Sequence, residues 1–297
     1  MIIQFCFVTV NLQTLYILSP GIALIMLKIT DKDYFLPIIE ALYGIKSYDT
    51  GTTQPMQIAG VCTKTGVKDT YVVKYLNSPR MSIKASTSEL VAAFIARQLD
   101  LHVVEPAIIN VSELFVDTLR GKDGFKFASN SIGLNYGCKY VPGYFEFVRN
   151  QELNDAQFAA AEHIFAFDVF ISNPDRGPQG KQNMLTNGKK ILIFDHELAF
   201  SFLYDIFVKN PTPWLIGEND RAVIQKHFFY HTLKEKDHKF DEFVERLTII
   251  DETFWERVTS LIPPEWQSDQ INEIKTNLAS LIEHRSIFLQ ELYKVLS

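Results

Sequence analysis

Residues 164–202 constrain this chain more than any other stretch, and they read in three parts. An amphipathic run carries apolar residues at Ile164, Phe165, Phe167, Val169, Phe170 and Ile171. A loop of turn formers follows, from Asn173 to Asn183, and it contains Asp175. A short apolar run, Ile191 to Phe194, then ends at Asp195. Periodicity and turn chemistry make these a helix, a polar loop and a short buried strand. Such an arrangement brings a carboxylate, an amide and a second carboxylate together on rigid supports. Those are hard oxygen donors of the kind that hold magnesium, with one carboxylate left for a reacting hydroxyl. Asp175 taken alone reads as a turn-capping residue. The three groups in order, beside an apolar strand, read as a site.

Loop Asp, loop Asn and strand-end Asp follow one another in the same order in the catalytic segment of protein kinases. Here the loop is Asn173-Pro174-Asp175-Arg176 and the strand ends Phe194-Asp195-His196-Glu197. In this form the stretch resembles the HipA-like kinases, particularly their shorter members with an NPDR loop and a strand ending in DHE or DHG. Two departures stand out. Asp175 and Asn183 are eight positions apart, more than in the protein-kinase signature. Gly177 stands where many relatives have His or Thr. The resemblance runs from about Tyr34 to the C-terminus and is most specific at 173–200.

That resemblance implies a two-lobed, protein-kinase-like α+β fold: a small sheet-rich lobe with one helix, and a larger, mostly helical lobe. It implies ATP and Mg2+ as cofactors and a Ser or Thr hydroxyl of a protein as acceptor. Asp175 would accept or orient the acceptor's proton, and Asn183 and Asp195 would hold the metal. A small-molecule phosphotransferase and a nucleotide-binding pseudokinase remain the alternatives, since a fold does not fix its acceptor.

Lys74 closes the run Thr70-Tyr71-Val72-Val73, an apolar β-branched strand. That is the setting of the lysine that grips nucleotide phosphates in kinases; an edge-strand lysine facing solvent is the plainer alternative. A helix is expected next, over Ser86 to Leu99, with Leu90, Val91, Phe94, Ile95 and Leu99 on one face. By resemblance, Glu89 in its first turn is the glutamate that orients Lys74. Ser86-Thr87-Ser88-Glu89 also reads as a capping box, which would spend the same carboxylate elsewhere.

Two segments are expected to meet the nucleotide. Gly51, Thr52 and Thr53 lie in the turn cluster Asp49 to Pro55, where backbone N–H groups could cover phosphates. Lys139, Tyr140 and Val141 belong to a Tyr-Val-Pro-Gly segment that, by resemblance, joins the lobes and meets the adenine edge. Elsewhere the expected elements are a strand from Met56 to Cys62, a hairpin turn over 63–69, and a strand from Val103 to Val111 placed at an edge by Pro106. Residues 119–133 read as an exposed turn. Helices are expected over Arg221–Lys234, Phe240–Leu247, Asp251–Ile262 and Asp269–Leu296. His227 and His231 lack the adjacent Glu of a zinc-protease motif and read as core or surface histidines.

The first 27 residues contain no Asp, Glu, Lys or Arg. They read as an extension produced by a start placed too far upstream, with a membrane anchor as second choice; Met26 precedes the first domain-like sequence. The expected division is therefore 1–27, a nucleotide-binding lobe over 28–140 and a catalytic lobe over 141–297. Hydrophobic residues at 47% and charged residues at 22% exclude a disordered chain. A formal charge of −6 argues against direct nucleic-acid binding. Three cysteines without metal-ligand spacing suit a reducing, cytoplasmic setting. A small DNA-binding antitoxin is the partner that a toxin–antitoxin role would require.

Overall fold

The computed structural model describes residues 26–48, 53–148, 151–177, 182–204 and 210–297. Five strands close into a barrel in the order β1 (Ile38–Ser47), β2 (Met56–Cys62), β3 (Lys68–Lys74), β5 (Gly133–Lys139) and β4 (Pro106–Val111). Alternation drives it: β2 turns Met56, Ile58, Gly60 and Cys62 inward and half-exposes the residues between. Closure needs a strongly coiled strand. The register of β1 against β2 shifts twice, between Ala41 and Tyr43 and between Gly44 and Lys46, and such irregularities sharpen twist. Its start can then pair in parallel with β4. Gly137 is required on β5, because a Cβ there would lie 2.4 Å from Ile109 Cγ1 and 2.7 Å from the Val72 carbonyl oxygen.

Three expectations change here. The strand predicted from Val103 begins at Pro106, and it is interior, flanked by β1 and β5. Proline is tolerated because it occupies the first position, before the ladder needs its N–H. The turn predicted over 119–133 contains α3 (Phe125–Ser129), which follows α2 (Glu113–Thr118). The Ser112 hydroxyl accepts from the Phe115 amide at 3.3 Å to cap α2, and Leu119 and Ala128 are buried in the barrel core. The sheet-rich part therefore carries three helices, not one.

Helix α1 (Ile83–Gln98) is capped by Ser82, whose hydroxyl accepts from the Ala85 amide at 3.2 Å. It starts three residues earlier than predicted, so Glu89 sits in the second turn. Every residue from Ala85 to Gln98 is buried. The amphipathic reading fails because both sides are covered; Ala92, Ala93 and Ala96 let neighbouring elements approach closely.

The rest is mostly helical. After β6 (Phe145–Glu146) comes α4 (Asp155–Phe170), opened by a reciprocal Asn154–Gln157 capping box. Strands β7 (Met184–Thr186) and β8 (Ile191–Ile193) form a hairpin that joins β6 in a small antiparallel sheet. Among the described residues six α-helices follow: α5 (Glu218–Ile224), α6 (Tyr230–Leu233), α7 (Phe240–Arg246), α8 (Glu252–Leu261), α9 (Asp269–Glu283) and α10 (Arg285–Leu296). The helix predicted over 221–234 is thus interrupted, and the break lets His227 turn inward to Asp168. The helix predicted over 269–296 divides at His284, which stacks on Trp214 with ring centroids 3.7 Å apart. None of the described helices is long and apolar enough to cross a membrane.

The segment before β1 is laced into the helical core. Ile29 is fully buried, and Arg257 of α8 donates to its carbonyl at 3.0 Å and to that of Tyr34. Ile29→Ala is expected to destabilise the protein by about 2–5 kcal/mol in chemical denaturation, from lost transfer energy plus the cavity left behind. A change below about 1 kcal/mol would show that this segment is not part of the cooperative core.

Candidate active site

The β7–β8 hairpin positions the amide and the strand-end carboxylate. Met184 pairs with Ile193, so Asn183 and Phe194-Asp195 leave the hairpin at the same end. The Phe194 amide donates to the Asn183 carbonyl at 3.1 Å. Asn183 and Asp195 both adopt left-handed backbone, with φ of 53° and 62°. Side chains rarely take that conformation, and it persists only where the surroundings impose it.

Lys74, at the end of β3, meets this end of the hairpin. Its ammonium bonds the carboxylates of Glu89 and Asp195, and Glu197 Oε2 lies 3.2 Å away. Glu89 is wholly buried, and its second oxygen accepts from the His196 amide at 2.7 Å. Glu89 therefore joins α1 both to β3 and to the segment after β8. It caps nothing, since Ser82 does that. Glu197, which the sequence reading did not single out, is a third carboxylate on the same lysine.

The electrostatics follow from this crowding. Burial opposes the Lys74 charge, but Asp195, Glu89 and Glu197 outweigh it and raise the ammonium well above its ordinary range. Burial also tends to raise Asp195, yet Lys74 overrides it and leaves that carboxyl below the usual range. Glu89 has the opposite fate, pushed up to about 7 by burial despite Lys74. One ammonium cannot neutralise three carboxylates, and the most buried of them carries the excess. Ligand oxygens of Glu89, Asp195 and Glu197 lie within 4.8 Å of one another. A surplus of hard anionic oxygen at this density fits a divalent cation of the magnesium type.

Asp175 lies across from this cluster, half-buried on the loop after α4. Its amide donates to Asn173 Oδ1 at 3.2 Å, and its carboxylate accepts from Asn183 Nδ2 at 3.1 Å. Burial and the Asp195 charge raise its carboxyl. That direction suits a proton acceptor.

The expected nucleotide contacts are less complete. Gly51 and Thr52 lie outside the described residues; Thr53 is buried, and no described hydrogen bond joins it to the Lys74 cluster. In the 139–141 segment, the Lys139 amide donates to the Glu105 carbonyl and the Tyr140 amide to the Thr70 carbonyl, both at 2.9 Å. Lys139 Nζ pairs with Asp69 at 2.7 Å.

Behind the loop lies a buried network that the sequence did not announce. Asp168, on α4, is bonded by Arg176, by Asn173 Nδ2 at 2.7 Å and by His227 Nε2 at 3.0 Å. Arg176 and His227 pull its carboxyl well below the usual range against the effect of burial. The one available signal was an acid on an apolar helix face, since a buried charge requires a partner. His227 is a core histidine here, as expected of one without a metal-binding motif. A cavity of about 140 Å³ borders this network, lined in part by Asp168, Asn173, Arg176, His227, Leu215 and Phe288.

Over residues 45–291 the sequence matches the family described as HipA-like kinase. A search of the curated proteins returned no match. Among solved structures, one similar chain is in a complex of Neurospora crassa PAN2 (WD40-CS1) with PAN3 (pseudokinase and C-term). It shares 10% identity, with a TM-score of 0.31, over 89% of this chain and 67% of that one.

Proposed function

We propose, because the chain belongs to the HipA-like kinase family, that it transfers the γ-phosphoryl group of ATP to a Ser or Thr hydroxyl of a protein. The observation that carries this reading is the Lys74 ammonium joined to Glu89 of α1 and to Asp195 at the end of β8. A cation is thereby fixed where phosphate oxygens would need it.

Each residue then has a task. Asp195 and Asn183 would hold magnesium: the Asn183 amide nitrogen is committed to Asp175, which leaves its side-chain oxygen for a cation. Magnesium, when bound, supplies charge neutralisation of the phosphates. Asp175 accepts or orients the proton of the acceptor hydroxyl. Glu89 holds Lys74 in place. Of the 139–141 segment, the amides of Lys139 and Tyr140 are spent on Glu105 and Thr70, so in this reading Val141 would meet the adenine edge. The turn at Gly51 to Thr53 would cover the phosphates.

One observation favours a second reading. Asp195 is occupied by Lys74, as it would be in a nucleotide-binding module that performs no chemistry. Labelled ATP with magnesium separates the two. Transfer to the protein itself, located by mass spectrometry, is expected for wild type, and Asp175→Asn should reduce it by about 10²-fold or more. Transfer no greater than that of Asp175→Asn would leave the binding module standing. Label passing only to a small hydroxyl compound would redirect the acceptor assignment.

A further inference from the structure

Arg176 touches both sides of the proposed site. The residue is 1% exposed. Nε and Nη2 fork onto Asp168 of α4, and Nη1 donates to the Asn183 carbonyl at 2.6 Å. Nη2 also lies 3.1 Å from Nε2 of His196, the residue after Asp195. The Arg176 carbonyl accepts from the Phe228 amide at 2.7 Å. One planar cation therefore spans the acceptor loop, the backbone of Asn183 and the ring beside Asp195.

Asn183, which it contacts, and Asp195, the neighbour of the His196 it contacts, are both held in left-handed backbone. Such conformations cost free energy and survive only when neighbours over-determine them. A guanidinium can only donate, so Nε2 of His196 is the acceptor of that contact. A lysine could not serve all these partners, because its ammonium is a compact point and not a rigid fork.

We propose that Arg176 is a positioning residue that keeps Asp175, Asn183 and Asp195 in one register, acting through Asp168, the Asn183 carbonyl and His196. The neighbouring cavity extends the idea. Both Arg176 and Asp168 line it, so truncating the arginine would leave the Asp168 carboxylate facing an enlarged space fit for a small guanidinium ion.

The test rests on the kinase reading above and is arranged to separate the two. Arg176→Lys should raise the magnesium concentration for half-maximal transfer about tenfold or more, with the acceptor KM unchanged. A merely structural loss would lower the yield of active protein without moving the magnesium requirement. Millimolar methylguanidinium should restore transfer to Arg176→Ala, but not to Asp175→Asn. Unaltered magnesium dependence in Arg176→Lys, or no recovery by a folded Arg176→Ala, would overturn the proposal. If Arg176→Ala does not fold, the lysine variant decides alone. Should wild type transfer no phosphate, the kinase reading fails and amide exchange decides on Arg176. Faster exchange in Arg176→Lys at both 182–184 and 194–197, with α1 unchanged, supports the positioning role; unchanged exchange at those segments sinks it.

Discussion

Asp195→Asn is expected to abolish tight magnesium-dependent binding of ATP and to lower phosphoryl transfer by about a thousandfold, with the fold intact. The substitution isolates charge. Asparagine is among the few residues that tolerate left-handed backbone, so the φ of 62° imposes no new strain. Lys74 keeps Glu89 and Glu197 as partners, so the buried ammonium is not orphaned. What disappears is the anionic oxygen at the end of β8, and losing one preorganised electrostatic contact costs about 10²–10³ in rate. Calorimetry with Mg·ATP reads the effect directly. Wild-type affinity in the mutant would remove Asp195 from the metal site.

Lys74→Met and Glu89→Gln are expected each to cut turnover by about 10²–10³-fold. The double mutant should be little worse than the weaker single mutant, because residues acting as one unit are non-additive. The structure sharpens this expectation. Had Glu89 closed a capping box, Gln would have substituted for it. Ser82 caps α1 instead, and the Glu89 carboxylate is divided between Lys74 and the His196 amide. Gln can retain the bond from His196 while losing the charge on Lys74. The melting temperature of Glu89→Gln should therefore move little while turnover falls steeply. Multiplicative losses in the double mutant would show that Glu89 and Lys74 act independently, contrary to the assignment.

The helix, loop and strand over 164–195 were legible because their signals are local. A run of turn formers between an apolar helix and an apolar strand confines Asp175, Asn183 and Asp195 whatever the rest of the chain does. Lys74 and Glu89 were legible by resemblance, although the helix start was misread: Ser82 and Ser86 are equally good caps, and only burial of Ala85 and its successors decides between them. Strand β7 escaped because Met184–Thr186 is too short for a period to show. Barrel closure escaped for another reason. The parallel pairing of β1 with β4 joins Ile39 to Ile109, and no local pattern encodes so distant a partner. The same holds for Asp168 and His227, whose pairing exists only after α4 and the 225–229 turn have packed together.

Strand β8 is bonded to the barrel's lead-in as well as to β7. Val103 bridges to Ile193 in parallel, the Ile193 amide donates to the His102 carbonyl at 2.9 Å, and the Val104 amide returns a bond to the Ile193 carbonyl at 3.2 Å. Residues 102–104 lead straight into β4 of the barrel. The strand that carries Asp195 is thus riveted to the barrel's lead-in, two residues before the carboxylate. The position of Asp195 is therefore set by the barrel as well as by its own hairpin. Arg176 and Asn183 tie the Asp175 loop to the same end of the hairpin, so a load arriving through Ile193 reaches Asp175, Asn183 and Asp195 together.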